Sequence, residues 1–361
     1  MKCNRDEIER YLQSVLGAAI NVTRITPLGD HLDDHAVKGF GYGIPLKIDY
    51  CTEDRRTRSA VLHTMSPGPF GHEHMADRAQ VLLWSHQAYN RLPLHVRSLD
   101  VGGMRSDGEV IPAGDVEEFC LLTEYATGEM YAKDLERVRD TGTLTDLDLV
   151  RCDALCDYLV DIHRVRGTDP GLYTRRIREL VGHGECIMGL SDAYPEHPLI
   201  TAALLEEIEH LCLRWRWRLK SHSHRLRQVH GDFHPWNILF GDGANLRVLD
   251  RSRGEYGDPA DDVTSLSMNY IFFSLQRSGV LEGPFQELFA RFWKRYLEKS
   301  GDQEMLRVVA PFFVFRGLVM ACPRWYPALA DDVRKKLVNF ILAVLKRDVF
   351  DPAEVNTYCA V

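Results

Sequence analysis

The stretch His230-Gly231-Asp232-Phe233-His234-Pro235-Trp236-Asn237 decides how the rest of this 361-residue chain is read. It places a carboxylate, Asp232, five positions before a carboxamide, Asn237. Behind it, Ile238-Leu239-Phe240 and Leu246-Arg247-Val248-Leu249 flank the turn Gly241-Asp242-Gly243 and read as a short hairpin ending on Asp250. The hairpin returns the chain and so brings Asp250 back toward Asp232 and Asn237. Two carboxylates and an amide oxygen are the hard-oxygen donors that suit Mg²⁺. One of the carboxylates can accept or orient a hydroxyl proton, and phosphoryl transfer asks little else of a protein. The run Gly257-Asp258-Pro259-Ala260-Asp261-Asp262 follows. Its aspartates precede a helix and suit its N-terminus.

Taken together, HGDFHPWNILF, VLD and GDPADD resemble the aminoglycoside phosphotransferase and choline kinase superfamily, small-molecule cousins of the protein kinases. The resemblance implies that Asp232 is the catalytic base, that His230 braces the loop, and that Asn237 and Asp250 bind Mg²⁺. It also implies that Asp258 and Asp262 hold the loop by hydrogen bonds. His234 reads as a loop-positioning residue, since the carboxylate already fills the base role. ATP or GTP is the implied phosphate donor, and a hydroxylated small molecule the acceptor. Two other outcomes use the same fold: a nucleotide-binding module without turnover, and transfer of a nucleotidyl group.

Outward from the motif, the hydrophobic period divides the chain. Residues 5–17 carry Ile8, Leu12, Val15 and Leu16 on one helical face. Strands are expected over Val22–Leu28, Ile44–Cys51, Arg58–Met65, Val96–Leu99 and Phe119–Tyr125, with a helix over Met75–Arg91. From Ala132 onward the pattern is helical, including Leu147–His163, Leu204–Lys220 and most of the chain after Asp262, with breaks at Pro284, Pro311 and Pro327. Strands first and helices afterwards is an α+β arrangement. That order gives two lobes, and with the resemblance it implies a protein-kinase-like fold: an N-terminal nucleotide-binding lobe over 1–125, a hinge near 123–128, and a helical lobe over 126–361 holding the catalytic loop and substrate site.

The N-terminal lobe departs from the family pattern. The third strand of kinase-like enzymes carries a phosphate-binding lysine, but His63 stands at that position here. Lys47 on the preceding strand is the preferred substitute. Gly39, Gly41 and Gly43 in KGFGYG could form a phosphate-covering turn, because glycine lets backbone amides approach an anion. Glu73 and Asp77 are the candidate acids to pair with the lysine, although Arg78 lies nearest the expected position. Backbone groups of Glu124, Tyr125 and Ala126 are expected to meet the purine edge.

Composition narrows the remaining classes. A formal charge of −8 gives no reason to expect nucleic acid as partner. The N-terminal residues MKCNRDEIERYLQSV lack the apolar run of a secretory leader. No stretch approaches the ~18 apolar residues of a membrane span. Nine scattered cysteines fit reduced thiols in the cytoplasm, and Cys152 and Cys156 read as core-facing. His72-x-His74 and His222-x-His224 lack a partner set for zinc. The run Arg214-Trp215-Arg216-Trp217-Arg218-Leu219-Lys220 reads as a solvated basic face with tryptophan packed beneath it. Between Val165 and Val229 there are ten basic residues against eight acidic ones, a balance that gives no support for a polycationic antibiotic and is compatible with a neutral or acidic hydroxylated metabolite, a sugar or an amino alcohol. Oligomeric state leaves no mark in the sequence.

Overall fold

The computed structural model describes residues 4–27, 44–68, 71–90, 96–116, 125–251 and 253–360. The chain divides into two units, Met1–Thr123 and Glu124–Val361. In the first, helix α1 (Arg5–Leu16) is capped by the Asn4 side chain, which accepts from the Glu7 amide. It lays Ile8 and Leu12 on an antiparallel sheet of order β1 (Ile20–Pro27), β2 (Leu46–Thr52), β3 (Thr57–Leu62). Ile20, Val22, Ile48 and Tyr50 complete this small core. Helix α2 (Met75–Tyr89) and a hairpin of β4 (Gly102–Met104) and β5 (Val110–Pro112) follow.

The strand expected over Val96–Leu99 does not form. The backbone amide and carbonyl of Ser98 are bonded instead to the Asn90 carboxamide, at 3.1 and 3.0 Å. A segment whose polar groups are satisfied by a side chain needs no strand partner. The strand expected over Phe119–Tyr125 lies almost wholly outside the described residues.

The second unit opens with β6 (Glu129–Met130), which joins the hairpin strands in a small sheet, and continues through α3 (Tyr131–Thr141) and α4 (Asp146–His163). Thr145 and Asp148 close a capping box on α4, as their S/T-x-x-D spacing allows. Helices α5 (Pro170–Gly182), α6 (Ile187–Asp192) and α7 (Ala202–Leu219) precede β7 (Arg227–Gln228), the catalytic-loop candidate, the hairpin β8 (Ile238–Phe240) and β9 (Leu246–Val248), and β10 (Tyr256–Gly257). β10 pairs with β7, so the two flanks of the loop are tied together. Then come α8 (Ala260–Ser278), α9 (Gly283–Ser300), α10 (Ala310–Ala321), α11 (Asp331–Leu345) and α12 (Val355–Ala360). Pro284 and Pro311 stand in the first turns of α9 and α10, where a missing N–H costs nothing.

Helix α8 is buried from Val263 through Leu275 on every face. A helix apolar or neutral all round belongs in the centre of a core, and α3, α9, α10 and α11 pack about it. Farther out, Phe350 sits 4.9 Å from Phe313 and 5.4 Å from Trp293, centroid to centroid. Each such pair adds about 0.5–1.5 kcal/mol beyond its buried area. Cys152 and Cys156 face this core, and burial pushes both thiols up to about 12. No helix among the described residues is long and apolar enough to cross a membrane.

Candidate active site

The loop of residues 230–237 is held from beneath by one carboxylate. Asp262, fully buried in the first turn of α8, accepts the amides of His230 (2.8 Å) and Gly231 (2.7 Å). Its Oδ2 also meets His163 Nε2 at 3.1 Å, and His163 Nδ1 meets the Tyr296 hydroxyl at 2.8 Å. Burial raises the Asp262 pKa, but His163 and the loop amides outweigh it and hold the carboxyl below its ordinary range. The bend requires Gly231: its φ is +86°, and a Cβ there would stand 3.2 Å from Cβ of Arg253. Asp258 is fixed similarly. It takes a two-pronged contact from Arg225 at 2.9 and 3.0 Å, the Tyr173 hydroxyl at 2.8 Å and the Ala260 amide at 2.9 Å.

Above this base stands Asp232. Asn237 Nδ2 donates to its carbonyl (3.1 Å) and to its Oδ2 (3.2 Å), and His234 Nε2 lies 3.5 Å from Oδ2. His234 also caps the turn Pro235–Asn237, its Nδ1 accepting from the Trp236 amide. His230 Nδ1 accepts the Asp232 amide at 3.3 Å, and burial keeps this imidazole's pKa below its ordinary value. The other oxygen of Asp232 is taken by Arg316, a buried guanidinium from α10. Arg316 further donates to the Gly231 carbonyl and to Asp261 Oδ1, both at 3.2 Å.

These contacts set the charge of the site. Burial pushes the Asp232 carboxyl up, but its bond to His234 and the charges of Arg316, His234 and Arg253 together hold it far below the carboxylate range. Asp261 goes the other way. Burial, with Asp262 and Asp232 nearby, raises it to about 6 despite Arg316. Asp232 is therefore a fixed anion suited to orienting a hydroxyl, and Asp261 is a carboxyl that titrates close to neutrality.

The hairpin delivers Asp250 to the same place. The Leu249 amide donates to the Asn237 carbonyl at 2.8 Å, which ties the end of β9 to the loop. Asp250 itself is exposed and left-handed, with φ +53°. Among the described residues it has no cation within salt-bridge distance. The Asn237 amide group is spent on Asp232, which leaves its Oδ1 as a donor oxygen. A carboxylate and an amide oxygen are donors of the kind a hard divalent cation takes.

Asp232 and Asp250 line one cleft of about 780 Å³ within the helical unit, a volume ordinary for a small-molecule site. Its other walls come from Trp236, Phe315, Trp325 and Tyr326, with Arg253, Arg316 and Asn269 as polar members. The sequence motif contains none of these except Trp236. Arg316 had one local signal, a lone cation in the otherwise apolar run APFFVFRGLVMA of α10. Arg253 and Asn269 had none.

The candidates of the first unit are less converged. Lys47 Nζ pairs with Asp49 Oδ1 at 2.9 Å, and His63 is exposed just beyond β3. Tyr125 is 91% exposed and Ala126 half-buried. Gly39, Gly41, Gly43 and Glu124 lie outside the described residues. Arg78 donates to the carbonyls of His72 and Glu73, so it turns back on the entry to α2. His224 bonds to Glu304 at 2.7 Å, and His222 lies 3.8 Å from the same carboxylate. The basic run on α7 is only half as expected: Trp215 is buried, donating to the Leu345 carbonyl, but Trp217 is 64% exposed. Arg216 and Lys220 lie over its ring at 5.3 and 4.6 Å, so cation–π contacts hold it at the surface.

A family model described as "Phosphotransferase enzyme family" matches residues 54–304. Solved structures that resemble the chain include a choline kinase from Streptococcus pneumoniae, at 13% identity over 94% of this chain and 98% of that one, TM-score 0.35. An amicoumacin kinase in complex with AMP-PNP, Ca²⁺ and Ami shares 14% identity over 92% and 91%, TM-score 0.40. A macrolide 2′-phosphotransferase of type I shares 13% over 92% and 94%, TM-score 0.32. Among curated proteins there is no match.

Proposed function

From the premise that the chain belongs to the phosphotransferase enzyme family, we propose that it moves the γ-phosphoryl group of ATP or GTP to a hydroxyl of a small molecule seated in the cleft beside Asp232. The protein-kinase-like α+β fold of that family supplies the frame. The observation that supports the proposal is that Asp232 and Asp250 line one cleft sized for a metabolite, with Asn237 bonded to Asp232 and, through its carbonyl, to the Leu249 amide that precedes Asp250.

In this reading Asp232 accepts the acceptor's hydroxyl hydrogen and aims its oxygen. A carboxylate held so far below its usual range is a weak proton acceptor, which suits a loose transition state where the proton leaves late. Arg316, His234 and Asn237 fix the carboxylate in one orientation. Asn237 Oδ1 and Asp250 would hold Mg²⁺, which neutralises phosphate charge when bound. His230 and Asp262 keep the loop in register. We assign Lys47 and His63 to the nucleotide phosphates and the backbone near Tyr125 and Ala126 to the purine.

The test is Mg²⁺-dependent transfer from ATP and from GTP to a panel of hydroxylated metabolites and aminoglycosides, with products weighed by mass spectrometry. Asp232→Asn should lower turnover by about 10²–10⁴-fold. Turnover that survives the substitution removes Asp232 from the base role. A second reading has one specific support, the engagement of Lys47 by Asp49 with histidine at the usual lysine position. It makes the chain a nucleotide-binding module, and it gains if Mg-ATP raises the melting temperature without any product. A mass gain of a whole nucleotide would instead mark nucleotidyl transfer.

A further inference from the structure

The cleft holds two guanidiniums, and they are in different states. Arg316 is spent on Asp232, Asp261 and the Gly231 carbonyl. Arg253 is half-buried, its guanidinium carbon 4.4 Å over the ring of Phe315, and it donates to Cys186 Sγ at 3.7 Å. Burial pushes that thiol up to about 11 although Arg253 pulls it down, so the sulfur is neutral, and the carboxylates that feel the Arg253 charge, Asp232 and Asp261, do so without direct contact. Among the described residues no carboxylate lies within 4.0 Å of it, and Glu185, the remaining acid of the lining, is exposed.

A second polar group is also unpaired. Asn269 is fully buried on α8, and its Nδ2 donates to the Ser265 carbonyl at 2.8 Å. Asn269 lines the same cleft, and among the described residues its buried Oδ1 has no partner. An orphaned buried acceptor is costly unless a ligand supplies a donor. The aromatic walls, Trp236, Phe315, Trp325 and Tyr326, suit a flat apolar body.

We propose that the acceptor is a carboxylate-bearing hydroxy compound with an apolar, ring-like body. Its carboxylate meets Arg253, its ring lies among the aromatic walls, and a donor on it meets Asn269 Oδ1. A half-buried guanidinium without a direct carboxylate partner can take a monoanion, and its planar fork matches a carboxylate. The contacts of Arg253 with Phe315 and Cys186 put it among the elements that enclose the acceptor. The proposal rests on the phosphotransferase reading for the word acceptor, but its test does not.

The experiment is calorimetric binding to the full chain without nucleotide. The probes are para-hydroxymethylbenzoate, its neutral isostere para-hydroxymethylbenzamide, and the cation para-aminomethylbenzyl alcohol. The benzoate should bind roughly 10- to 100-fold more tightly than the benzamide, as a charge-assisted pair at a half-buried site predicts. Arg253→Gln should erase that preference while leaving benzamide affinity in place, and Arg253→Lys should keep part of it. The wild-type comparison needs no variant, so misfolding cannot mask the result. Equal binding of benzoate and benzamide, preference for the cation, absence of benzoate binding at millimolar concentration, or a preference that survives Arg253→Gln would each overturn the proposal. So would an Arg253→Gln variant whose only defect is weaker Mg-ATP binding, because the guanidinium then serves the nucleotide's phosphates. Failure of the phosphotransferase reading shows separately, as absent turnover with benzoate binding intact.

Discussion

Replacing Arg316 by methionine removes a buried cation that is bonded to both Asp232 and Asp261. Two of its three hydrogen bonds go to carboxylates, each worth about 1.5–3 kcal/mol. Breaking a buried ion pair from one side costs about 3–5 kcal/mol, because the abandoned charge stays desolvated. Both routes give about 4 kcal/mol with Asp232 and Asp261 ionised. Asp261 softens the loss at low pH. Its pKa is raised in the fold, so the stability linked to its neutral form is complete below the ordinary value near 3.8 and is lost as pH rises through about 6. Without Arg316 the neutral form persists to still higher pH, and the penalty grows from about 2 kcal/mol at pH 5 to about 4 at pH 8. Urea unfolding followed by tryptophan fluorescence measures this, since five of the six tryptophans lie in the helical unit. Adding Asp261→Asn to Arg316→Met should restore about 1 kcal/mol or more at pH 8. A single-variant cost below about 1 kcal/mol at both pH values, or one larger at pH 5, would refute the reasoning.

Asp262→Asn places an amide N–H against the His230 or Gly231 amide; it should cost about 3 kcal/mol or more and abolish turnover below the melting temperature. Tyr173→Phe leaves one lone pair of buried Asp258 unmet and should cost about 1–3 kcal/mol in urea unfolding, with turnover at saturating substrate kept. Asp250→Asn should leave stability within about 0.5 kcal/mol, since the residue is exposed and asparagine tolerates its left-handed backbone. The same change should raise the Mg²⁺ concentration needed for half-maximal transfer.

What the sequence made legible was local. Asp232, Asn237 and Asp250 are joined by a five-residue loop and a short hairpin, so their spacing nearly determines their meeting. The breaks read at Pro284 and Pro311 were local as well, and both prolines stand in the first turn of a helix, α9 and α10. Arg316 reaches Asp232 across 84 positions, and nothing within its own helix says which carboxylate it meets. Asn269 lies in a helix buried all round, where no face is marked as the lining of a cleft. Val96–Leu99 misled because its β-like pattern competes with a side chain, Asn90, that takes the Ser98 backbone groups. The N-terminal candidates rest on a single pattern position, His63, and a long loop whose glycines lie outside the described residues.

The Asp262 carboxylate also bears on the order in which this protein is built. Asp262 binds the loop at His230, 32 positions before Asp262, and His163, 99 positions before Asp262, and His163 in turn meets Tyr296, 133 positions beyond His163. Such contacts close only after the intervening chain has been gathered, at the loop-closure entropy of long segments. The brace beneath the loop is therefore complete only once α9 has docked. A nascent chain cut short before Tyr296 would carry every residue of the motif and still lack the brace that shapes it. Activity in this protein is a late reporter of folding, and an early casualty when α4, α8 and α9 loosen.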